Sequence, residues 1–244
     1  MTDFDPISLA FMLALLALVP LAAVMTTSFL KIAVVLTLVR NALGVQQVPP
    51  NMALYGLALI LSAYVMGPVV MQISDNLRAT TAVSGPVTPA APGSAGPTGM
   101  ARAPVATNSV TGNTRLDGIV DAITNGAEPI RGFMMKNSRF EQREFFLRTA
   151  RGLWGEERSR NLKADDLIVL IPAFVLSELT AAFQIGFLLY LPFVVIDLIV
   201  SNILLAMGMM MVSPVTISMP LKLFLFVMVD GWTRLIQGLV LSYS

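Results

Sequence analysis

The 244-residue chain contains no cysteine and no histidine. Without cysteine there is no disulfide, no thiolate metal site and no sulfur nucleophile. Without histidine there is no Ser-His-Asp or Cys-His arrangement, and the commonest general base and metal ligand is missing. Charge is also scarce. Only 13% of residues are charged, where soluble domains carry roughly 25%. The formal net charge is +1, which gives no reason to expect nucleic acid as a partner. No G-x-x-x-x-G-K-[ST] loop occurs, so no nucleotide hydrolysis is expected. No carboxylate pair stands at a spacing suited to acid–base work. Together these absences argue against an enzyme and against any cofactor or bound metal.

What the chain does have is apolar surface. Hydrophobic residues make up 55% of it and the mean hydropathy is +0.74, a membrane-class composition. The first residues, Met1–Pro6, are acidic and lack the basic region of a secretory signal, so the first apolar segment is expected to be retained. Residues 7–30 carry no charge, Lys31 follows, and charge returns only at Arg40. A continuous helix over 7–39 would run about 50 Å, against a hydrocarbon core of about 30 Å. Either the helix breaks near Pro20 or it packs inside a protein assembly. Lys31 should face protein, water or the interface. Gly44 and Pro49-Pro50 mark a short turn, which predicts an antiparallel helical hairpin with 52–74. Lys31 and Arg40 suggest that this turn lies toward the cytoplasm.

Of the 31 charged residues, 22 fall between Asp75 and Asp166. The first part of this insert, Ala79–Asn113, is rich in Ala, Pro, Gly, Thr and Ser and reads as a disordered linker. From about Gly126 to Leu153 apolar residues recur at helical spacing between Arg and Glu, which predicts one or two amphipathic helices packed on the apolar bundle or lying at the membrane surface. From Leu167 to Val229 the chain is apolar except for Glu178, Asp197 and Lys222. The prolines suggest helices over about 167–191, 194–207 and 220–240. Ala182 and Gly186 form a small-xxx-small step that permits close helix approach. The expected fold class is an all-α membrane protein. Two long helical hairpins (1–74 and 167–244) are joined by a hydrophilic insert, divided into a linker over 75–115 and amphipathic helices over 116–166.

Two sets of residues carry functional expectations. Glu178, Asp197, Lys222 and Lys31 are costly in lipid and should find partners. Ion pairs between helices or subunits are favoured over a proton relay, since no histidine or second acid stands nearby. Asp230 and Arg234 are spaced to pair across one helical turn. The second set is Met207-Gly208-Met209-Met210-Met211, closed by Pro214. Methionine is flexible and polarizable, and neighbours on a backbone diverge, so three in succession cannot all enter one core. The run is either loose packing between helices or a deformable seal around a passage.

At Thr27–Leu36, at Arg40–Asn51 with its Gly44-Val45-Gln46-Gln47-Val48-Pro49-Pro50-Asn51 wording, and at Ile171–Leu179, Ala182–Phe187, Leu191–Phe193, Ile196–Leu198, Met207–Pro214 and Val229–Trp232, the chain resembles the FliP/SctR family. The match covers both apolar halves, about 1–78 and 120–244, and is closer to the virulence (SctR) branch than to the flagellar one. The resemblance implies a core part of the type III secretion export apparatus at the bacterial inner membrane. It implies a pentameric ring of identical copies, joined by SctS-like and SctT-like membrane proteins and near SctU-like and SctV-like components. It implies unfolded polypeptides as cargo, and helices standing largely above the membrane plane. It assigns the gasket of the closed pore to Met209, Met210 and Met211. The Ala79–Asn113 linker is longer than the family pattern. The competing reading from another class is a small-solute or ion transporter, which would call for inverted repeats and polar groups at the midplane. Neither is evident in the sequence.

Overall fold

The computed structural model describes residues 6–45, 49–83, 114–209 and 211–244. Among them every regular element is an α-helix. In chain order these are α1 (Pro6–Thr26), α2 (Phe29–Ala42), α3 (Asn51–Val83), α4 (Thr114–Asn137), α5 (Phe140–Trp154), α6 (Glu156–Ser159), α7 (Leu167–Ala206), α8 (Pro214–Met228) and α9 (Gly231–Leu241). Two of these, over Asn51–Asn76 and Leu167–Ala206, are long and apolar enough to cross a membrane, or up to four if each bent pair counts as one span. The chain divides into two compact units, 1–68 with 131–244, and 69–130.

The larger unit is built on α2 and α7, which run parallel. Lys31 near the start of α2 meets Glu178 of α7, and Leu38, further along α2, lies against Gly186, further along α7. A methyl group added at Gly186 would sit 2.3 Å from Leu38 Cδ1. Only glycine lets the two helices approach so closely, and Ala182 one turn earlier is fully buried. α3 runs antiparallel to α2: Ser28 donates to Ser62 at 3.1 Å, and Arg40 donates to Asn51 at the other end. Ile32, Val35, Leu36 and Val39 fill the core with Leu54, Ala58, Phe193, Leu235 and Leu239. α5 packs on α7 beginning at Arg139, whose backbone N–H donates to Ser177 Oγ at 3.0 Å. In the smaller unit α3 and α4 approach at Ile73 and Gly126, where an added methyl would lie 4.0 Å from Ile73 Cγ2.

The breaks differ from those expected at proline. The first apolar stretch does not break near Pro20, which lies inside α1. It breaks at Thr27-Ser28, with a bend of 67° between α1 and α2. α7 is one helix of 40 residues that passes through Pro172 and Pro192, not two helices meeting near 192. The last apolar stretch starts at Pro214 and breaks at Val229-Asp230, where Asp230 takes φ +52° and the chain bends by 62°. A proline deletes one backbone hydrogen bond. In apolar surroundings, ending a helix strands several such groups with no water to satisfy them. The breaks fall instead where polar side chains are at hand: buried Ser28, bonded to Ser62, and Asp230, a residue type that tolerates the left-handed region. α3 continues past Asp75 to Val83, and two amphipathic helices cover the 126–153 region, broken at Ser138-Arg139. Most of the Ala79–Asn113 stretch, residues 84–113, lies outside the described residues.

Candidate functional site: the methionine turn and its ion-paired support

α7 ends in a Schellman closure. Met209 N–H donates to Leu204 O and Gly208 N–H to Leu205 O, each at 3.0 Å. The residue between helix and loop, Gly208, has φ +73°, the left-handed turn this closure uses and glycine adopts without steric cost. α8 restarts at Ser213 with Pro214 in its first turn, where the missing N–H costs no helical hydrogen bond. The intervening loop therefore has fixed ends. It carries Met207 (64% exposed), Met209 (38%) and a fully exposed Met211. Met210 lies outside the described residues.

Below the turn, α7 and α8 are pinned together. Lys222 Nζ donates to Asp197 Oδ2 at 2.6 Å and to Ala42 O at 3.4 Å. The second contact satisfies a carbonyl at the C-terminal end of α2, where helical carbonyls lack partners. Ser218 Oγ donates to Asp197 Oδ1 at 2.6 Å. Phe193 and Phe226 lie with ring centroids 6.3 Å apart. Three helices thus meet at one lysine, and the turn stands on a rigid stem.

The second pair, Lys31 Nζ to Glu178 Oε1 at 3.3 Å, is buried on both sides. Tyr243 completes it. Its hydroxyl donates to Glu178 Oε2, and its ring lies under the Lys31 ammonium, 3.6 Å from nitrogen to centroid. Its carbonyl accepts from Lys136 Nζ at 3.3 Å. Phe133 stacks on its ring and meets Phe174 edge-on. Burial first, and then the Glu178 carboxylate, push the Tyr243 phenol above its usual range, so it stays a donor at any physiological pH. Each charge here has a hydrogen-bonded opposite charge, the condition under which buried ions are tolerated.

The structure therefore brings Lys31 to Glu178 and Lys222 to Asp197, and keeps both pairs apart from the methionine turn. Asp230 and Arg234 do not pair. Asp230 lies outside α9 in the left-handed region, out of helical register, and joins Arg234 only through the backbone, Arg234 N–H to Asp230 O at 3.1 Å. Sequence reasoning missed Tyr243, Ser218 and Ser28. A tyrosine just past an apolar helix and two serines in apolar runs carry no periodic signal; only the tertiary pairing gives them a role. Among the described residues, no three acidic side chains cluster in a way that could hold a metal ion.

The comparisons with known proteins bear on this arrangement. The FliP family model matches residues 12–239. The chain belongs to the FliP family. It is 49% identical over 240 residues to the Yop proteins translocation protein R of Yersinia pestis, covering 98% of this chain and 97% of that one. It is 44% identical to the virulence protein YscR of Salmonella typhimurium over 240 residues, 98% of each chain. It is 43% identical to the harpin secretion protein HrcR of Erwinia amylovora over 241 residues, covering 99% and 98%. This FliP-family chain is thus a structural component of a type III secretion export apparatus and not an enzyme. Its family and its apolar helices place it in the inner membrane.

Proposed function

We propose that this FliP-family protein is the pore-forming core subunit of the export gate, conducting unfolded polypeptides across the inner membrane, with Met209, Met210 and Met211 as the seal. Copies form a ring, five in number by the family resemblance, with SctS-like and SctT-like proteins beside it. The observation that carries this reading is the stem of the methionine turn. α7 has 40 residues and a length of about 60 Å, twice the hydrocarbon thickness of about 30 Å. Lipid cannot cover all of it, yet large apolar side chains stay exposed from Ile168 to Leu205. Other protein must cover the remainder. A ring of such stems gathers the exposed thioethers of every copy into one collar. Methionine suits that collar because its weak dispersion contacts fit any polypeptide and bind none tightly.

The test replaces Met209, Met210 and Met211 with Ala in the assembled apparatus. Ion leakage through the membrane should rise while secretion partly survives. Conductance equal to the parent's would remove the sealing role. Substrate-dependent ion flux by the purified chain alone would favour a transporter instead.

A further inference from the structure

The break between α8 and α9 leaves a gap. The Phe226 ring packs against Gly231 at the break, and beside it a cavity of about 250 Å³ remains against α7 and α2. Its walls are apolar, from Leu189, Pro192, Phe193, Leu225 and Leu235, with Arg234 the one charged residue in the lining. Asp230 stands at the same break. Among the described residues, neither side chain makes a hydrogen bond or ion pair, and both are exposed. Around them Phe224, Val227, Met228 and Val229 are exposed as well. An unmatched cation and an unmatched anion on an apolar membrane element are costly unless something neutralises each.

We propose that this cavity binds one phospholipid with an ethanolamine-type head. One acyl chain enters the apolar cavity, the phosphate takes the Arg234 guanidinium, and the ammonium donates to the Asp230 carboxylate. The chemistry matches on three counts: an apolar slot, a planar donor suited to phosphate, and, at the helix break four residues earlier in the chain, an acceptor for an N–H donor. A phosphatidylglycerol head offers the phosphate and lacks the ammonium, so Asp230 selects between the two. The inference does not depend on the pore reading, since it concerns the single chain.

Trp232 supplies the probe. Its ring centroid lies 5.4 Å from that of Phe226, which lines the cavity. The chain has two tryptophans, so Trp154→Phe leaves Trp232 as the sole emitter. That protein is reconstituted alone into phosphatidylglycerol vesicles carrying a small, equal share of acyl-brominated phosphatidylethanolamine or acyl-brominated phosphatidylglycerol. Brominated phosphatidylethanolamine should quench Trp232 more strongly. Asp230→Asn keeps a side chain that tolerates the left-handed backbone and should abolish the preference between heads. Arg234→Gln should weaken quenching by both lipids. Leu225→Phe, which fills the slot, should remove the excess quenching. Equal quenching by both lipids in the parent protein would mean contact with bulk lipid only and would overturn the site. So would an unquenched Trp232, which would mean that a second copy of the chain covers the break.

Discussion

The two halves of α7 share one helix and one composition, and they live in different surroundings. In its first half, Val169, Leu170, Ala173, Phe174, Ser177, Glu178, Ala182 and Gly186 are buried; in its second, only Phe193, Val200 and Leu204 are. The first half is clamped by α2, by α5 and by the Tyr243 cluster. The second packs on α8 and, through Phe193, on the core shared with α2 and α9, but offers Phe187, Leu188, Leu198, Ile203 and Leu205 to the outside, each more than half exposed. Uniform hydrophobicity along a helix therefore says that it is covered everywhere, and not by what. Here the protein's own core covers one half and leaves the other for lipid or further subunits. Glycine and buried polar residues mark the first kind of surface. Large aliphatic side chains on several faces, with no glycine to admit a close neighbour, mark the second.

The sharpest way to break this contrast is to remove one partner of the buried pair in the first half. Glu178→Ala leaves Lys31 charged and buried with no carboxylate, which costs about 3–5 kcal/mol in comparable pairs. Thermal unfolding of the detergent-solubilised protein should show the loss. Replacing both partners by methionine should restore most of it, because the cost lies in the orphaned charge.

Tyr243→Phe keeps the ring under Lys31 and against Phe133 and deletes one hydrogen bond to a carboxylate. The expected loss is about 1.5–3 kcal/mol. The sign of the pH dependence follows from the raised phenol. The unfolded chain ionises this tyrosine first, so its stabilisation is complete below the ordinary tyrosine range and is lost as pH rises toward the folded value. Unfolding midpoints followed upward from neutral pH should therefore fall more steeply for the parent than for the Phe variant. Parallel curves would mean that the hydroxyl does not face Glu178.

At the far end of the helix, Gly208→Ala forces a methyl group into the left-handed closure, at about 1–2 kcal/mol. It acts on the loop rather than the core, so the expected signature is leakage through the assembled gate with little change in unfolding temperature. A variant as tight as the parent would separate the closure from the seal.

Much of this was legible in residues alone. The charge-free runs gave the helices, the Ala182-xxx-Gly186 step marked the face that meets α2 closely, and the family the resemblance named is the one whose model matches the chain. What resisted was the placement of breaks. Pro20, Pro172, Pro192 and Pro220 all lie inside helices, because an apolar environment makes ending a helix costlier than losing one hydrogen bond. Asp230 gave no local sign that it would leave the helix, and its register with Arg234 pointed to a pair that the left-handed turn prevents. Tyr243 was invisible for another reason: its contacts come from the bend before α2 and from α2, α4 and α7, and no spacing in sequence encodes a meeting of that kind.

The smallest effect on the single chain tests the second half most directly. Leu198 is 59% exposed, so Leu198→Ala removes little that the isolated protein buries. A surface change of this kind shifts stability by no more than about 0.5 kcal/mol. If another subunit covers this face, the same change strips a buried side chain from every interface in the assembly. Large-to-small changes at buried sites cost about 2–5 kcal/mol, and a ring repeats that cost once per copy. The monomer should therefore unfold at the parent's temperature while the detergent-extracted assembly dissociates already at higher protein concentration than the parent's, as read by analytical ultracentrifugation. An assembly as robust as the parent's would assign this face to lipid, which solvates leucine and alanine alike, and would move the subunit contacts to other exposed surfaces such as α3.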